Sequence, residues 1–502
     1  MVVGAMALLD EPINLLNNVV PPLLITLGLG DAVHLLVRYG EEHRREPDRV
    51  AAAKRTMRAM AGACFLTSAT TAVGFGSLAA SDTEVMRRFA VTAALGVALA
   101  YLVTIVFLPA ALPDFRVPGW RGGAALTRLV GRLAAAAARR AGAVVTASLL
   151  LLGASLALGS GVRMDSALLE QLDPASEEAR TARVLEERMG GVRSLEIGLA
   201  GEPGRYASSA GARELEALEA WLRAQPGVLV VSSATTPARE LWAHLAGERE
   251  GAFEGEARAR ALFALVGEVA PGALARFSDR DASRARVEVR LADRGEQHLA
   301  ALLDRLEARL AALPVEAVVG GEAERSSRGL GQLVEDLVTS LAIAVLIIFA
   351  MLGALLRSAR LALISVLPNV LPLAITLAYM AVRGIPLHAG TAIVFTVSIG
   401  LVVDGTIHVL ARHREEQRRG RSRARALVAA MRGSGRAVVI GAATLLFGFA
   451  ALLFASFVPI RWFAELSIVA IATALVADLV VLPALLALFG GGAAQAPAAH
   501  RS

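Results

Sequence analysis

Three carboxylates and two imidazoles stand inside otherwise apolar stretches of this sequence. GLGDAVHLLVRYGEE, residues 28 to 42, carries Asp31 and His34. GLVVDGTIHVLARHREE, residues 400 to 416, carries Asp404 and His408, and Asp478 lies in the last apolar run. Asp31 and His34 are three residues apart and Asp404 and His408 four apart, so on a helix each pair shares a face and can interact. Burial disfavours a charged carboxylate and a nearby imidazolium favours it, so such a pair can load and release a proton near neutral pH. An acid inside a membrane is expensive and is a functional residue by default. The competing reading of the two histidines is that they snorkel, being about one turn from Arg38 and Arg412.

These residues have to be positioned by helices. The chain has 502 residues, of which 55% are hydrophobic and 19% charged. Its mean hydropathy is +0.56, too apolar for a soluble protein of this size. Apolar runs of about 20 residues, enough to cross roughly 30 Å of hydrocarbon, occur near residues 14 to 37, 57 to 80, 86 to 112 and 141 to 160. Others follow near 335 to 356, 361 to 382, 387 to 410, 437 to 457 and 462 to 489. The expected fold class is therefore a polytopic α-helical membrane protein.

Arginine and lysine mark the cytoplasmic side. They collect in residues 38 to 58, 113 to 140 and 412 to 436, and in the RSAR link at 357 to 360. Threading the spans through these loops forces residues 161 to 333 to the far side of the membrane. The expected organisation is a first-half bundle (1–112), a cytoplasmic linker (113–140), a span (141–160), an extracytoplasmic domain (161–333), a second-half bundle (334–489) and a cytoplasmic tail (490–502). The basic loops are topology signals that touch anionic lipid, so the pI near 10.2 needs no nucleic-acid partner. Cys64, the single cysteine, lies inside a span, so the exported domain is expected to be held by packing and not by a disulfide. MVVGAMALLDEP has no basic n-region and no small-residue cleavage site, so no cleavable signal peptide is expected.

Residues 12 to 112 repeat as residues 386 to 486 at a constant offset of 374. Pro12 pairs with Pro386, His34 with His408, RYGEE with RHREE, Thr70 with Thr444, and Gly74-Phe75 with Gly448-Phe449. Phe89 pairs with Phe463, and LPA at 108 to 110 with LPA at 482 to 484. Both copies reach the cytoplasm at the equivalent arginine, so the repeat is parallel, a transporter architecture with its working site between the halves. At the same offset Met1 matches Ile375, in the middle of the span at 361 to 382, and Met6 matches Met380. The expectation is that the chain is the C-terminal part of a longer duplicated protein, with a separate polypeptide as one way of supplying the remainder.

In the exported segment SLEIGLA (194–200) reads as a strand, ARELEALEAWLRAQ (212–225) as an amphipathic helix and PGVLVVS (226–232) as a turn and strand. RARVEVRL (284–291), EQHLAALLDRLEARLAAL (296–313) and VEAVV (315–319) repeat that order. This is β-α-β twice, the ferredoxin-like α+β plan. Residues 177 to 189 read as a helix, and 235 to 280 as helical and irregular.

The two helix motifs, the LPNVLP at 367 to 372 and the large exported domain between two spans resemble the resistance-nodulation-division (RND) superfamily. The MMPL-type branch of predicted lipid exporters, which includes hopanoid transporters, is the most similar. The resemblance covers roughly residues 1 to 489. Family members have twelve spans and two exported porter domains, and this sequence matches spans three, in part, through twelve and the second porter domain. The family is driven by protons moving through carboxylates in spans four and ten, and the matching positions are Asp31 and Asp404. The second motif often carries two adjacent acids, where this sequence has Gly405. With the histidines aligned, Asp31 matches Gly405 and Asp404 matches Gly30, so each half keeps one acid, one residue apart in register.

Asp478 is a candidate for relay support. Thr70 and Thr444 could support the acids from a neighbouring helix, or bond back to their own. Pro368, Asn369 and Pro372 are expected to break their span as a hinge, with an interhelical hydrogen bond from Asn369 as the alternative. No GxxxxGK[ST], HExxH, GxSxG or cysteine cluster is present, so the sequence does not read as an enzyme, an ATP-driven pump or a metal centre, and the proton gradient is the expected energy source without a cofactor. The expected function is a proton-driven secondary transporter of a hydrophobic or amphipathic substrate, a lipid above all, in the bacterial inner membrane. Membrane lipids, and further copies of the chain, are the expected partners. The alternative is a non-transporting module of the lipid- or sterol-sensing type, or an inactive fragment of a split transporter.

Overall fold

A computed structural model describes residues 2–8, 10–12, 17, 20–81, 84–114, 123–163, 167, 169–248 and 250–490. Much of the stretch before residue 20, linker residues 115–122 and the tail from 491 onward lie outside the described residues. The chain forms two units, one of residues 1–163 with 332–502 and one of residues 164–331.

The helical unit begins with α1 (Val2–Leu8), α2 (Val20–His43), α3 (Arg49–Gly76), α4 (Glu84–Ala111), α5 (Gly123–Arg139) and α6 (Ala141–Gly159). In the second unit the chain forms α7 (Glu177–Arg188), β1 (Arg193–Ala200), α8 (Ser209–Arg223), β2 (Val228–Ser232), α9 (Thr235–Ala246), α10 (Glu256–Val269) and α11 (Pro271–Ala275). β3 (Arg284–Leu291), α12 (Glu296–Leu310) and β4 (Glu316–Gly320) follow. The remaining helices are α13 (Glu322–Leu355), α14 (Ala359–Arg383), α15 (Ala389–Arg418), α16 (Arg423–Leu452), α17 (Val458–Val476) and α18 (Leu482–Phe489), the last two joined by one π-helical turn, Ala477–Val481.

Among the described residues nine helical segments are long and apolar enough to cross a membrane, α17 to α18 counting as one. Local signals start them. Asp48 accepts from the Val50 amide at 2.9 Å ahead of α3, and Ser358 from the Leu361 amide at 3.3 Å ahead of α14. Before α15, His388 Nδ1 accepts from the Gly390 amide at 3.0 Å and Thr391 Oγ1 from the His388 amide at 2.9 Å. These bonds satisfy amides that have no partner within the helix.

α15 is the centre of the bundle, packed against α3, α14, α16 and α17. Its crossing with α3 is close because both sides lack bulk. A Cβ on Gly74 would lie 2.9 Å from the Thr396 carbonyl oxygen, and one on Gly400 would lie 2.8 Å from Thr71 Cα. Small residues allow this approach where lipid supplies no hydrophobic drive between helices. The repeat-equivalent crossing of α2 with α16 has the same form, since a Cβ on Gly448 would lie 2.6 Å from Thr26 Cγ2.

Two expectations change here. α14 is continuous through Pro368 and Pro372, so the span is not broken. The prolines remove the helical donors to the carbonyls at 364 and 368, and Ser365, Asn369 and Thr376 bond other carbonyls of the same helix, those of Ala362, Ser365 and Pro372, at 2.6, 2.6 and 2.8 Å. The basic linker also contains a helix, α5, whose Val130, Gly131, Ala134 and Ala137 are buried against α16 and α18. Its arginines concealed a small-residue face: a Cβ on Gly435 of α16 would lie 2.6 Å from Val130 Cγ1.

The second unit is a four-stranded antiparallel sheet in the order β2-β3-β1-β4, the ferredoxin-like arrangement. Alternation in β3 buries Ala285, Val287, Val289 and Leu291 with Leu195, Ile197 and Leu199 of β1. Leu215, Leu218 and Leu222 of α8 and Leu299, Leu302 and Leu306 of α12 complete that core, each large apolar side chain contributing about 1.5–3 kcal/mol on burial. Glu219 is buried beneath it. Burial pushes its carboxyl up, but hydrogen bonds from Ser233, Thr235 and Arg223 outweigh that and hold it below the ordinary carboxylate range.

Candidate functional site

The two histidines meet. His34 of α2 and His408 of α15 stack with ring centroids 4.0 Å apart and planes 11° from parallel, and both are buried. Because they are equivalent in the repeat, their contact marks the axis that relates the halves. His34 Nε2 fits beside Gly441, where a Cβ would lie 3.3 Å from it.

Asp404 holds both rings from one side. Its Oδ1 lies 3.3 Å from His408 Nε2 and its Oδ2 3.9 Å from His34 Nε2. The His34, Asp404 and His408 ligand atoms lie within 4.8 Å of one another, a grouping the sequence alone did not reveal because His34 is some 370 residues away in the chain. Asp31 is supported differently: Ser68 Oγ donates to its Oδ2 at 3.1 Å, and Thr67 Oγ1 lies 3.4 Å from its Oδ1 and 3.0 Å from the Cys64 carbonyl, with one proton for the two acceptors.

The cluster separates two spaces. Asp31 and Asp404 line one small cavity of about 30 Å³ with Thr67, Ser68, Thr71 and Tyr101, room for about one water. On the other side, His34 and His408 line a cavity of about 410 Å³ that continues to Arg38, Glu41, Arg58 and Arg412. Past the histidines, the two repeats carry matching ion pairs, Arg38 to Glu42 at 2.9 Å and Arg412 to Glu416 at 3.1 Å. Arg38 also reaches Glu415 at 3.7 Å, tying the halves together.

Asp478 sits in the π-helical turn and is buried. Single π turns inside helices frequently accompany functional sites. A Cβ on Gly405 would lie 2.1 Å from Asp478 Oδ2. The glycine that stands in place of a second acid in the α15 motif is thus the gap into which another helix delivers a carboxylate. Thr406 Oγ1 donates to Asp478 Oδ1 at 2.5 Å and lies 3.3 Å from Asn369 Oδ1.

Thr70 and Thr444 take the other course open to them. Thr70 Oγ1 donates to the Thr67 carbonyl and Thr444 Oγ1 to the Ile440 carbonyl, each at 2.9 Å. The hydroxyls that reach acids are Thr67, Ser68 and Thr406. The signal for Thr67 and Ser68 was a Thr/Ser-rich face, LTSATT, in an apolar helix, which fixed polarity but not which hydroxyl faces α2. Pro368 and Pro372 flank Asn369, which makes the interhelical contact to Thr406.

The sequence pattern of the MMPL family matches residues 13–118 and 221–501. A stretch of 107 residues is 33% identical to a protein of Methanocaldococcus jannaschii named as a membrane protein, MJ1562, covering 21% of this chain and 28% of that one. Another of 108 residues is 34% identical to a protein of Streptomyces coelicolor named as a membrane protein, ActII-3, covering 21% and 15%. A third of 105 residues is 35% identical to the probable transport protein MmpL11 of Mycobacterium leprae, covering 21% and 10%. The chain thus matches less than a third of the length of each of these relatives. The extent of the family match, over both repeats and most of the second unit, establishes the chain as a member of the MMPL family of the RND superfamily and a multi-pass membrane protein.

Proposed function

We propose that this chain works as a proton-driven secondary transporter that exports a hydrophobic or amphipathic substrate, a lipid, from the bacterial inner membrane, with residues 161–333 outside the cytoplasm. The observation that carries this reading is that Asp31 of one repeat and Asp404 of the other line a single cavity, with the His34–His408 stack between it and a larger arginine-lined cavity. Protons entering the small cavity meet both carboxylates and leave past the histidines, toward the side that the basic loops assign to the cytoplasm.

The chemistry is proton binding coupled to movement of two halves. Asp404 contacts histidines of both halves, so its charge state changes an interaction across the repeat axis. A charged Asp404 attracts the ring N–H groups beside it, while a protonated one attracts them less. That difference is what a proton gradient needs in order to shift a two-state equilibrium. The transport assignment follows the likeness to the probable transport protein MmpL11, and the lipid assignment the resemblance to the lipid exporters of the family together with the exposed apolar helix faces, such as Leu150, Leu363 and Phe447.

The test is proton-coupled transport of a fluorescent lipid by the full chain in proteoliposomes, with wild type beside Asp404→Asn and Asp31→Asn. Both variants should insert normally and lose gradient-driven transport. Wild-type rates in both would overturn the relay.

A further inference from the structure

Thr406 has one hydroxyl proton and two acceptors. Asp478 Oδ1 is at 2.5 Å and Asn369 Oδ1 at 3.3 Å, and all three residues are buried. The orientation of the Asn369 amide is fixed by its surroundings. Its Nδ2 donates to the Ser365 carbonyl at 2.6 Å, and a carbonyl can only accept, so Oδ1 must face Thr406.

We infer that Asp478, Thr406 and Asn369 form a hydrogen-bond switch that reports the protonation of Asp478 to the proline-bearing helix α14. With Asp478 ionised, the Thr406 hydroxyl donates to Asp478 Oδ1 and Asn369 Oδ1 lacks that donor. When a proton binds Asp478, the carboxylic acid O–H donates to Thr406 Oγ1. The Thr406 hydroxyl proton then turns to Asn369 Oδ1. One proton enters, no other bond is made or broken, and the change arrives between Pro368 and Pro372, where α14 has lost two helical hydrogen bonds and is easiest to bend.

The rest of the geometry supports a built device. Gly405 provides the space for Asp478 Oδ2, and the π turn sets the acid's position on its helix. Gly405 is the chain neighbour of Asp404, so the acid of the relay and the site that receives Asp478 adjoin on α15. The repeat supplies no second copy, since Thr104 stands opposite Asp478 and Ala32 opposite Thr406. The switch belongs to the second half alone.

This inference rests on the proton-relay reading, and the experiment separates the two. The full chain in proteoliposomes is assayed as wild type, Asp404→Asn, Asp478→Asn, Thr406→Val and Thr406→Ser. Infrared difference spectra between acidic and alkaline pH are recorded on the same samples. Thr406→Ser keeps the hydroxyl and should transport within about threefold of wild type, whereas Thr406→Val and Asp478→Asn should lose about a hundredfold or more, the scale of a misplaced working group. The infrared band of the protonated carboxyl assigned by its loss in Asp478→Asn should shift in Thr406→Val and stay in Thr406→Ser. Wild-type transport in Asp478→Asn and Thr406→Val with Asp404→Asn inactive overturns the switch and leaves the relay standing. A carboxyl band unmoved by Thr406→Val overturns the switch whatever the transport rates. Wild-type transport in Asp404→Asn sinks the relay itself.

Discussion

The two repeats are alike at their arginine-rich ends and unlike at their centres. Arg38–Glu42 and Arg412–Glu416 are equivalent ion pairs of nearly equal length, and Gly74 and Gly448 serve equivalent close crossings. Between those levels, the same positions diverge. Thr67 bonds Asp31 in the first half, while its counterpart Gly441 leaves room for the His34 ring. Asp31 has as its counterpart Gly405, which leaves room for Asp478. Duplication supplied two identical frames, and substitutions between small and polar residues at a few packed positions gave them different acid environments. In the first half, a hydroxyl of the next helix supports the acid; in the second, histidines of both halves flank it and a third carboxylate, Asp478, enters beside its chain neighbour Gly405.

The largest expected effect tests whether the two acids are both needed. Asp404→Asn should abolish gradient-driven transport, and Asp31→Asn should do the same despite its different supports. Residual transport in one alone, measured as lipid efflux from proteoliposomes, would show the halves to be functionally unequal.

Next comes the glycine pair. Gly405→Ala places a Cβ where Asp478 Oδ2 now lies, 2.1 Å away, and should lower transport on the order of 100-fold, as expected for a displaced working group. Gly30→Ala, at the position equivalent to Asp404, meets no atom within 4 Å but lines the small cavity, so it should displace no carboxylate and lower transport far less than Gly405→Ala, while stabilising α2 by about 0.5–1 kcal/mol. Equal transport losses in the two variants would remove the asymmetry argued above.

A smaller loss is expected where hydroxyls hold Asp31. Hydrogen bonds to charged groups contribute about 1.5–3 kcal/mol each, so Ser68→Ala should slow transport roughly tenfold, and Thr67→Ala less, because its one proton is shared with the Cys64 carbonyl. Thr70→Ala and Thr444→Ala, whose hydroxyls bond, among the described residues, to carbonyls of their own helices, serve as controls and should stay near wild type. A Thr70 effect as large as that of Thr67 would mean that the hydroxyls act through helix shape.

The smallest difference concerns the symmetric end. Arg38→Ala and Arg412→Ala each take an arginine from a buried glutamate, a loss on the order of 3–5 kcal/mol, and should differ from one another least of all, with closely similar shifts in thermal unfolding. A difference of several degrees between them would show that the symmetry in geometry is not one in energy.

Much of this was legible in the sequence because it is local or periodic. Apolar run length gave the spans, since a bilayer admits few other solutions. Strand alternation gave β3 at Arg284–Leu291, and the constant offset revealed the duplication. The acids at 31 and 404 stood out because their cost in an apolar helix marks them. The loop-like charge of residues 113 to 140 hid α5, since charge density does not tell a basic loop from an amphipathic helix. Pro368 and Pro372 suggested a broken span, yet α14 runs through both, buried among its neighbours, since two missing helical bonds do not by themselves end a packed helix.

The sequence by itself determined the membrane class, the two repeats and the residues able to carry protons, because each follows from composition, spacing or the cost of burying charge. Only the tertiary structure decided which of these meet. That His34 stacks on His408, that Thr67 rather than Thr70 reaches Asp31, and that Asp478 fills the gap at Gly405 depend on helix rotation and crossing distance. Those are set by the summed packing of many side chains distant in the chain, and no local pattern encodes them.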